Sequence, residues 1–404
     1  MLQRAFLSLM LSLWFTILPG AAHASSFIGL SDAIHFYESI EDSGQWTTIP
    51  AGPSLRITDT HPHVPLLRKQ LLLLGDLQPE LQPTALENPE QFDSALHQAL
   101  LKFQQRNGIE MDGVLGPQTR RLLNITPRDR IQQLAINTAR QQAFGTPAVQ
   151  HYIQVNIPEF KLRLYEQGQV ILDMKTIIGR TSRQTPVFDT DINTLVVNPS
   201  WNVPRSIAFK DILPKWKKDN NYLSKHNLQI RSGWGPNSDI IPAELVDPSS
   251  MYQGAEYLRL FEPPSQKNTL GQIKFISKNR DSIYLHDTPA KNLFNRTQRA
   301  FSSGCVRLEK AQDLAHALLV LTNRPEYQQL DKMIETDETR NIQFPEPVPL
   351  YVTYWTAWLD EKGTLNFRDD LYKRDKSDFA ELKSSENQIN TAAQALYEQK
   401  QLVE

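Results

Sequence analysis

The 404-residue sequence predicts an α+β protein, on three observations. Apolar residues recur at helical spacing between Val64 and Phe144. From residue 150 the period shortens to two, the alternation of strands. A long polar stretch, residues 205–272, then interrupts the strand pattern, which resumes at Ile273. At about 150 residues per domain the chain is too long for one ordinary domain. Its 40% hydrophobic and 22% charged residues are a globular composition. The balance of 43 Lys and Arg against 45 Asp and Glu excludes a broad electrostatic affinity for nucleic acid, so no nucleic-acid partner is expected.

Residues 1–24 read as a secretory signal: Arg4, an apolar core from Ala5 to Leu18, a break at Pro19-Gly20, and the small-x-small pattern Ala22-His23-Ala24. The core is short for a membrane span of about 20 residues. No other stretch is apolar enough to cross a bilayer, so an exported protein is expected, not integral to the membrane once the signal is removed. Residues 25–63 form an N-terminal segment of mixed character with a short helix from Ser31 to Ile40. Residues 64–124 read as a three-helix module. Val64, Leu67, Leu71 and Leu74 define the first helix, ended by Gly75. Phe92, Leu96, Leu100 and Phe103 define the second, stopped by Asn107-Gly108. Asp112-Gly113 is a turn, and Gly116-Pro117 opens the third helix. Residues 125–149 are a helical connector, with Thr126-Pro127 as cap and first turn.

Strand character fills residues 150–374. Ile153, Val155 and Ile157 alternate with polar neighbours. Leu162 and Leu164 face Val170 and Leu172 across a turn at Gln167-Gly168, and further strands are expected at Val170–Ile178, Leu195–Val197, Ile273–Ile276, Ser282–Leu285 and Leu350–Trp358. A helix is expected from Lys310 to Thr322. The insertion at 205–272 reads as a long polar loop bearing Pro and Lys, of the length that is usually functional or disordered. Its Lys215, Lys217 and Lys218 read as a solvated face. From Asp375 to residue 404 the chain is a polar, Gln-rich tail, helical at best.

Cys305 is the single cysteine, which excludes an intramolecular disulfide framework and a multi-cysteine zinc site. An exported chain that keeps one thiol either needs it chemically or buries it as a small hydrophobe. His286 ends an apolar strand nineteen residues earlier, and Ser302-Ser303-Gly304 immediately precede the thiol. A cysteine nucleophile needs a basic partner and backbone N–H donors for an oxyanion, and Ser303, Gly304 and Cys305 can point such donors at one spot. By themselves a His and a Cys at this spacing are a weak signal. His61-Pro62-His63 lacks a sensibly spaced third ligand, so no metal is expected.

Two strings carry family resemblances. FQQRNGIEMDGVLGPQTRRLL resembles the peptidoglycan-binding-1 module of cell-wall enzymes. IYLHDTPAKNLFNRTQRAFSSGCVRLEKAQDL resembles the catalytic motif of the YkuD-type L,D-transpeptidases, a His after a strand followed by S/T-H-G-C, an apolar residue and Arg or Asn. IIGRTSRQTPVF, VVNPSWNVP and VPLYVTYWTAW fit the large Gram-negative periplasmic branch, which has a binding module, a capping insertion and the SSGC form of the motif. Ser303 stands where the wider family has a second His. The resemblance implies Cys305 as nucleophile and His286 as its base in a reactive ion pair. It implies the Asp287 backbone carbonyl orienting the imidazole, and the N–H groups of Ser303 and Gly304 at the oxyanion. Arg307 would contact a substrate carboxylate. Tyr284 and Trp201 could be substrate wall or core. The implied partners are peptidoglycan stem peptides, a tetrapeptide donor and a diaminopimelate acceptor, with other wall-synthesis proteins, in the periplasm. No metal or organic cofactor is implied, and carbapenem acylation of Cys305 is. Two alternatives remain at this level: the same nucleophile serving hydrolysis or lipoprotein anchoring, and a non-catalytic wall-binding protein.

Overall fold

The structure, a computed structural model, describes residues 27–79, 88–233, 238–252 and 258–384. The expected signal peptide and the end of the tail lie outside the described residues. No helix among the described residues is long and apolar enough to cross a membrane.

The described residues form two compact units, one made of those up to residue 135 with 358–367, the other of those from 136 to 357 with 368–384. In the first, α1 (Leu30–Asp42) precedes the three helices of the expected module: α2 (Val64–Leu73), α3 (Ser94–Arg106) and α4 (Pro117–Leu123). Leu67, Leu71, Leu96, Leu100 and Phe103 of the predicted apolar stripes are buried, as are Leu115 and Leu123. Asp93 caps α3 by accepting from the Leu96 N–H at 2.8 Å. A buried ion pair, Arg106 to Asp76, ties the end of α3 to the chain after α2 through two hydrogen bonds of 2.6 and 2.7 Å.

Helix α5 (Pro127–Phe144) leads on to β1 (His151–Asn156), β2 (Lys161–Glu166), β3 (Gln169–Gly179) and β4 (Phe188–Val197). The insertion follows, with β5 (Trp201–Asn202), α6 (Arg205–Ile207), a π turn at Ala208–Ile212, α7 (Leu213–Trp216), α8 (Tyr222–Lys225), β6 (Gln229–Ser232), β7 (Ile240–Ile241) and β8 (Leu258–Glu262). The chain then adds β9 (Ile273–Ser277), β10 (Leu285–His286), β11 (Ala300–Ser302), β12 (Val306–Leu308), α9 (Ala311–Leu321), α10 (Leu330–Glu335), β13 (Arg340–Thr353) and the hairpin β14 (Ala357–Leu359) and β15 (Leu365–Phe367).

Nine strands share one sheet in the order β11-β3-β12-β10-β9-β4-β13-β1-β2, and the further pairing of β2 with β3 closes it into a barrel. Inward residues such as Val155, Leu195, Phe275, Leu285 and Val306 fill it, and α9 packs on this core through Leu314, Ala315 and Leu318. Closure works because β3 is long enough to serve several neighbours: Gln169–Lys175 pair with β2, while its last four residues pair with β12 and β11.

Two expectations are corrected. The insertion is not a polar loop. Its four-stranded antiparallel sheet, in the order β5-β8-β6-β7, encloses a core of Trp201, Ile212, Leu213, Trp216, Leu223, Ile230 and Leu260. These apolar residues are scattered among prolines and lysines, so no single period exposes them, and Lys215, Lys217 and Lys218 do face solvent. The polar segment from Asp375 takes the helical form that was the most expected of it. Residues 375–384 are helical, and Arg140 pairs with both Asp375 and Asp378 at 2.6 Å. Strands also extend beyond their apolar cores: β13 starts at Arg340, ten residues before the expected Leu350.

Because the insertion holds its own core, Trp216→Ala should cost it about 3–5 kcal/mol and leave the barrel intact. Limited proteolysis should then cut within 205–272 while the barrel stays resistant; uniform digestion of the chain would contradict an independent core.

Candidate active site

The loop that bears the thiol crosses the end of β3. On one edge β3 receives β2 and then β11, since Thr176 N–H donates to Phe160 O at 2.8 Å and Ile178 N–H to Arg299 O at 3.0 Å, alternate residues facing one side. The other edge pairs with β12 through Arg307↔Ile177 and Leu308↔Thr176. Ser303, Gly304 and Cys305 must therefore pass over Gly179. Gly179 is hemmed in by the turn that follows it, since a Cβ there would collide with the Arg183 carbonyl and the Thr185 backbone nitrogen. Gly304 adopts φ 121°, open to glycine and rarely to other residues.

Every turn of this loop is held by hydrogen bonds. Ser302 Oγ donates to the Cys305 carbonyl at 2.5 Å and accepts from the Gly304 N–H at 3.1 Å. Thr185 Oγ1 donates to the Gly304 carbonyl at 2.7 Å and accepts from the Gly179 N–H at 2.9 Å. Ser303 Oγ accepts from Arg183 at 2.9 Å and from Arg180 at 3.1 Å. Arg183 also pairs with Asp211 on the π turn of the insertion, so the insertion is latched to the thiol loop. Where the wider family places a second histidine, this chain sets a hydroxyl gripped by two guanidinium groups.

One expected role is corrected here. The Gly304 N–H is already bonded to Ser302 Oγ, so it is not available to an oxyanion. The N–H groups of Ser303 and Cys305 have no such bond and take its place as candidate donors.

The barrel registers His286 beside Lys274 of β9 on one side and Arg307 of β12 on the other. Directly paired residues share a face, so these three side chains form a row opposite Phe275, Leu285 and Val306, which point into the core. His286 is 4% exposed, and its Nδ1 lies 2.5 Å from the Asp287 carbonyl, the expected orienting contact. A carbonyl only accepts, so Nδ1 carries the proton and Nε2 is left as the basic nitrogen. The Asp287 carboxylate is occupied elsewhere, with Lys291 at 2.6 Å and the Gln272 N–H at 3.1 Å.

Burial, then the Arg307 charge, hold the His286 pKa down to about 3. Burial pushes the Cys305 thiol above its ordinary value, against the pull of the Tyr284 N–H and hydroxyl, Lys274 and Arg307. Desolvation thus penalises the charged forms of both groups and works against the expected ion pair. A neutral imidazole is still a competent base when a substrate arrives. Tyr284, expected as substrate wall or core, packs against the insertion core and also addresses the thiol. Its own pKa is raised, by burial and then by the neighbouring thiol. Trp201 is part of the insertion core, and Tyr284 packs against that core. Sequence reasoning missed Lys274, whose Nζ stands 4.0 Å over the Tyr284 ring. It also missed Arg180, Arg183 and Thr185. The signal was present for Lys274, a charge at an alternate position of the apolar strand Ile273–Ser277.

Residues 150–327 match the YkuD family, described as the L,D-transpeptidase catalytic domain, and residues 60–123 match the PG_binding_1 family, described as a putative peptidoglycan binding domain. A Haemophilus influenzae protein named as an L,D-transpeptidase is 36% identical over 245 residues, covering 61% of this chain and 48% of that protein, about half its length. Among solved structures, the L,D-transpeptidase fragment from Xylanimonas cellulosilytica is 14% identical, with 75% of this chain and 99% of that one covered at a TM-score of 0.22. An L,D-transpeptidase in complex with imipenem is 12% identical, with 50% and 59% covered at a TM-score of 0.25.

Because the Tyr284 hydroxyl lowers the thiol pKa, Tyr284→Phe should move the pH profile of iodoacetamide alkylation upward and slow alkylation at neutral pH. An unmoved midpoint would show that the hydroxyl does not act on Cys305.

Proposed function

We propose that this protein is an exported, periplasmic transpeptidase that joins peptidoglycan stem peptides by 3→3 cross-links. The observation that carries the reading is the register that pairs His286 with Arg307, two residues after Cys305 at the strand crossing, with the His286 Nδ1 committed to the Asp287 carbonyl. In the first half-reaction the Cys305 proton passes to His286 as sulfur attacks the carbonyl of the third stem residue, meso-diaminopimelate. The N–H groups of Ser303 and Cys305 receive the oxyanion. The C–N bond breaks, His286 returns the proton to the leaving amine, and terminal D-alanine departs, leaving a thioester. In the second half the side-chain amine of another stem's diaminopimelate attacks the thioester and gives its proton to His286, and the thiol is restored as the new amide forms. The helical module, residues 60–123, would hold the enzyme on its wall polymer.

The insertion is read as a lid over the acyl-enzyme. It is latched to the thiol loop by Asp211, and its core receives Tyr284. A lid matters because the thioester must outlast the wait for an amine.

The test is product analysis by mass spectrometry after incubation with purified tetrapeptide muropeptides. Wild type should give 3→3 dimers. Cys305→Ala should give none and should take up no imipenem by intact mass, and His286→Ala should be slower by about 10²-fold or more. Free tripeptide as the sole product would replace cross-linking by hydrolysis, and an imipenem adduct on the Ala variant would remove Cys305 as nucleophile.

A further inference from the structure

Lys274 and Arg307 flank His286 on adjacent strands and face the nucleophile side of the barrel wall. Neither forms an ion pair among the described residues. The Arg307 Nε is buried without a hydrogen-bond partner, and the Lys274 Nζ meets the Tyr284 ring face. Asp211, Asp287 and Glu309 are engaged with other cations, Arg183, Lys291 and Lys175 respectively. Burial lowers the pKa of both Lys274 and Arg307, the penalty for holding charge away from water without a counter-ion. Two desolvated cations with no internal anion are costly unless an anion arrives from outside.

We propose that Lys274, on the other side of His286, adds a second cation to the carboxylate contact that the resemblance implies for Arg307, so that the two together seat a free carboxylate of the acyl donor and align its reacting carbonyl with Cys305. Arg307 supplies a planar fork suited to a carboxylate, and Lys274 a compact charge stacked on Tyr284. Lys274 becomes a specificity residue for a carboxylate-bearing peptide. The identity of that peptide rests on the transpeptidase reading; the preference for an anion near the thiol does not.

The test uses the full-length protein and two small alkylators of the same thiol, iodoacetate and iodoacetamide, which differ in charge. The ratio of their rates cancels any change in thiol ionisation, which slows both alike. The wild-type ratio of iodoacetate to iodoacetamide should exceed that of free N-acetylcysteine and should fall as salt is added. In Lys274→Met the ratio should drop about tenfold, the low end of what focused charge does to an association rate. Lys274→Arg should keep it, and Arg307→Met should lower it in a separate variant. A ratio unchanged in Lys274→Met, including the case where both rates fall together, overturns the seat and leaves Lys274 acting on the thiol alone. A second arm compares tetrapeptide donors with free and amidated diaminopimelate carboxylates. Lys274→Met should raise KM for the free acid several-fold more than for the amide; an equal effect on both donors contradicts the assignment. If no peptide reacts but the alkylation ratio behaves as stated, the transpeptidase reading fails and the anion seat survives.

Discussion

The site depends on the crossing of the thiol loop over the C-terminal end of β3. That strand must close the barrel with β2, pair with β12 on its other edge and receive β11 beyond β2. The connection from β11 to β12 has only Ser303, Gly304 and Cys305 to span the strand end, so it has almost no freedom. Gly304 makes the passage possible, and Ser302 and Thr185 fix the carbonyls and N–H groups that a turn would otherwise leave unsatisfied. A catalytic group set by strand pairing is placed more accurately than one on a free loop.

Burial then decides the electrostatics. Desolvation raises the thiol and depresses the imidazole, penalising the charged forms of both. Tyr284, Lys274 and Arg307 oppose that penalty on the sulfur. The surroundings therefore favour negative charge at the place where thiolate and oxyanion develop, which is where electrostatic preorganisation has its effect. The insertion contributes to this environment: its core receives Tyr284, and Asp211 reaches Arg183 and through it the loop.

Much of this was legible in the sequence. Helical stripes gave α2 and α3, alternation gave β1, β2 and most of β3, and the SSGC string marked the nucleophile. The rest was hidden for identifiable reasons. Strands β11 and β12 are three residues each, too short for any period to register. Barrel closure rests on one strand serving several partners, which no local pattern encodes. The insertion's core residues are spread among Pro and Lys. Lys274 broke an apolar alternation visibly, but only the register with His286 shows that the break faces the thiol. No local pattern marks Arg180 and Arg183, which act through the acceptor they share, Ser303 Oγ.

The central claim is that Cys305 accepts an acyl group from a stem peptide. Intact-mass spectrometry of the enzyme quenched in acid shortly after mixing with tetrapeptide donor, without acceptor, tests it directly. The account predicts an adduct equal to the donor less its terminal residue, mapped to the peptide that contains Cys305 and discharged by hydroxylamine. An adduct on any other residue, or donor turnover in the Cys305→Ala variant at the wild-type rate, would contradict it.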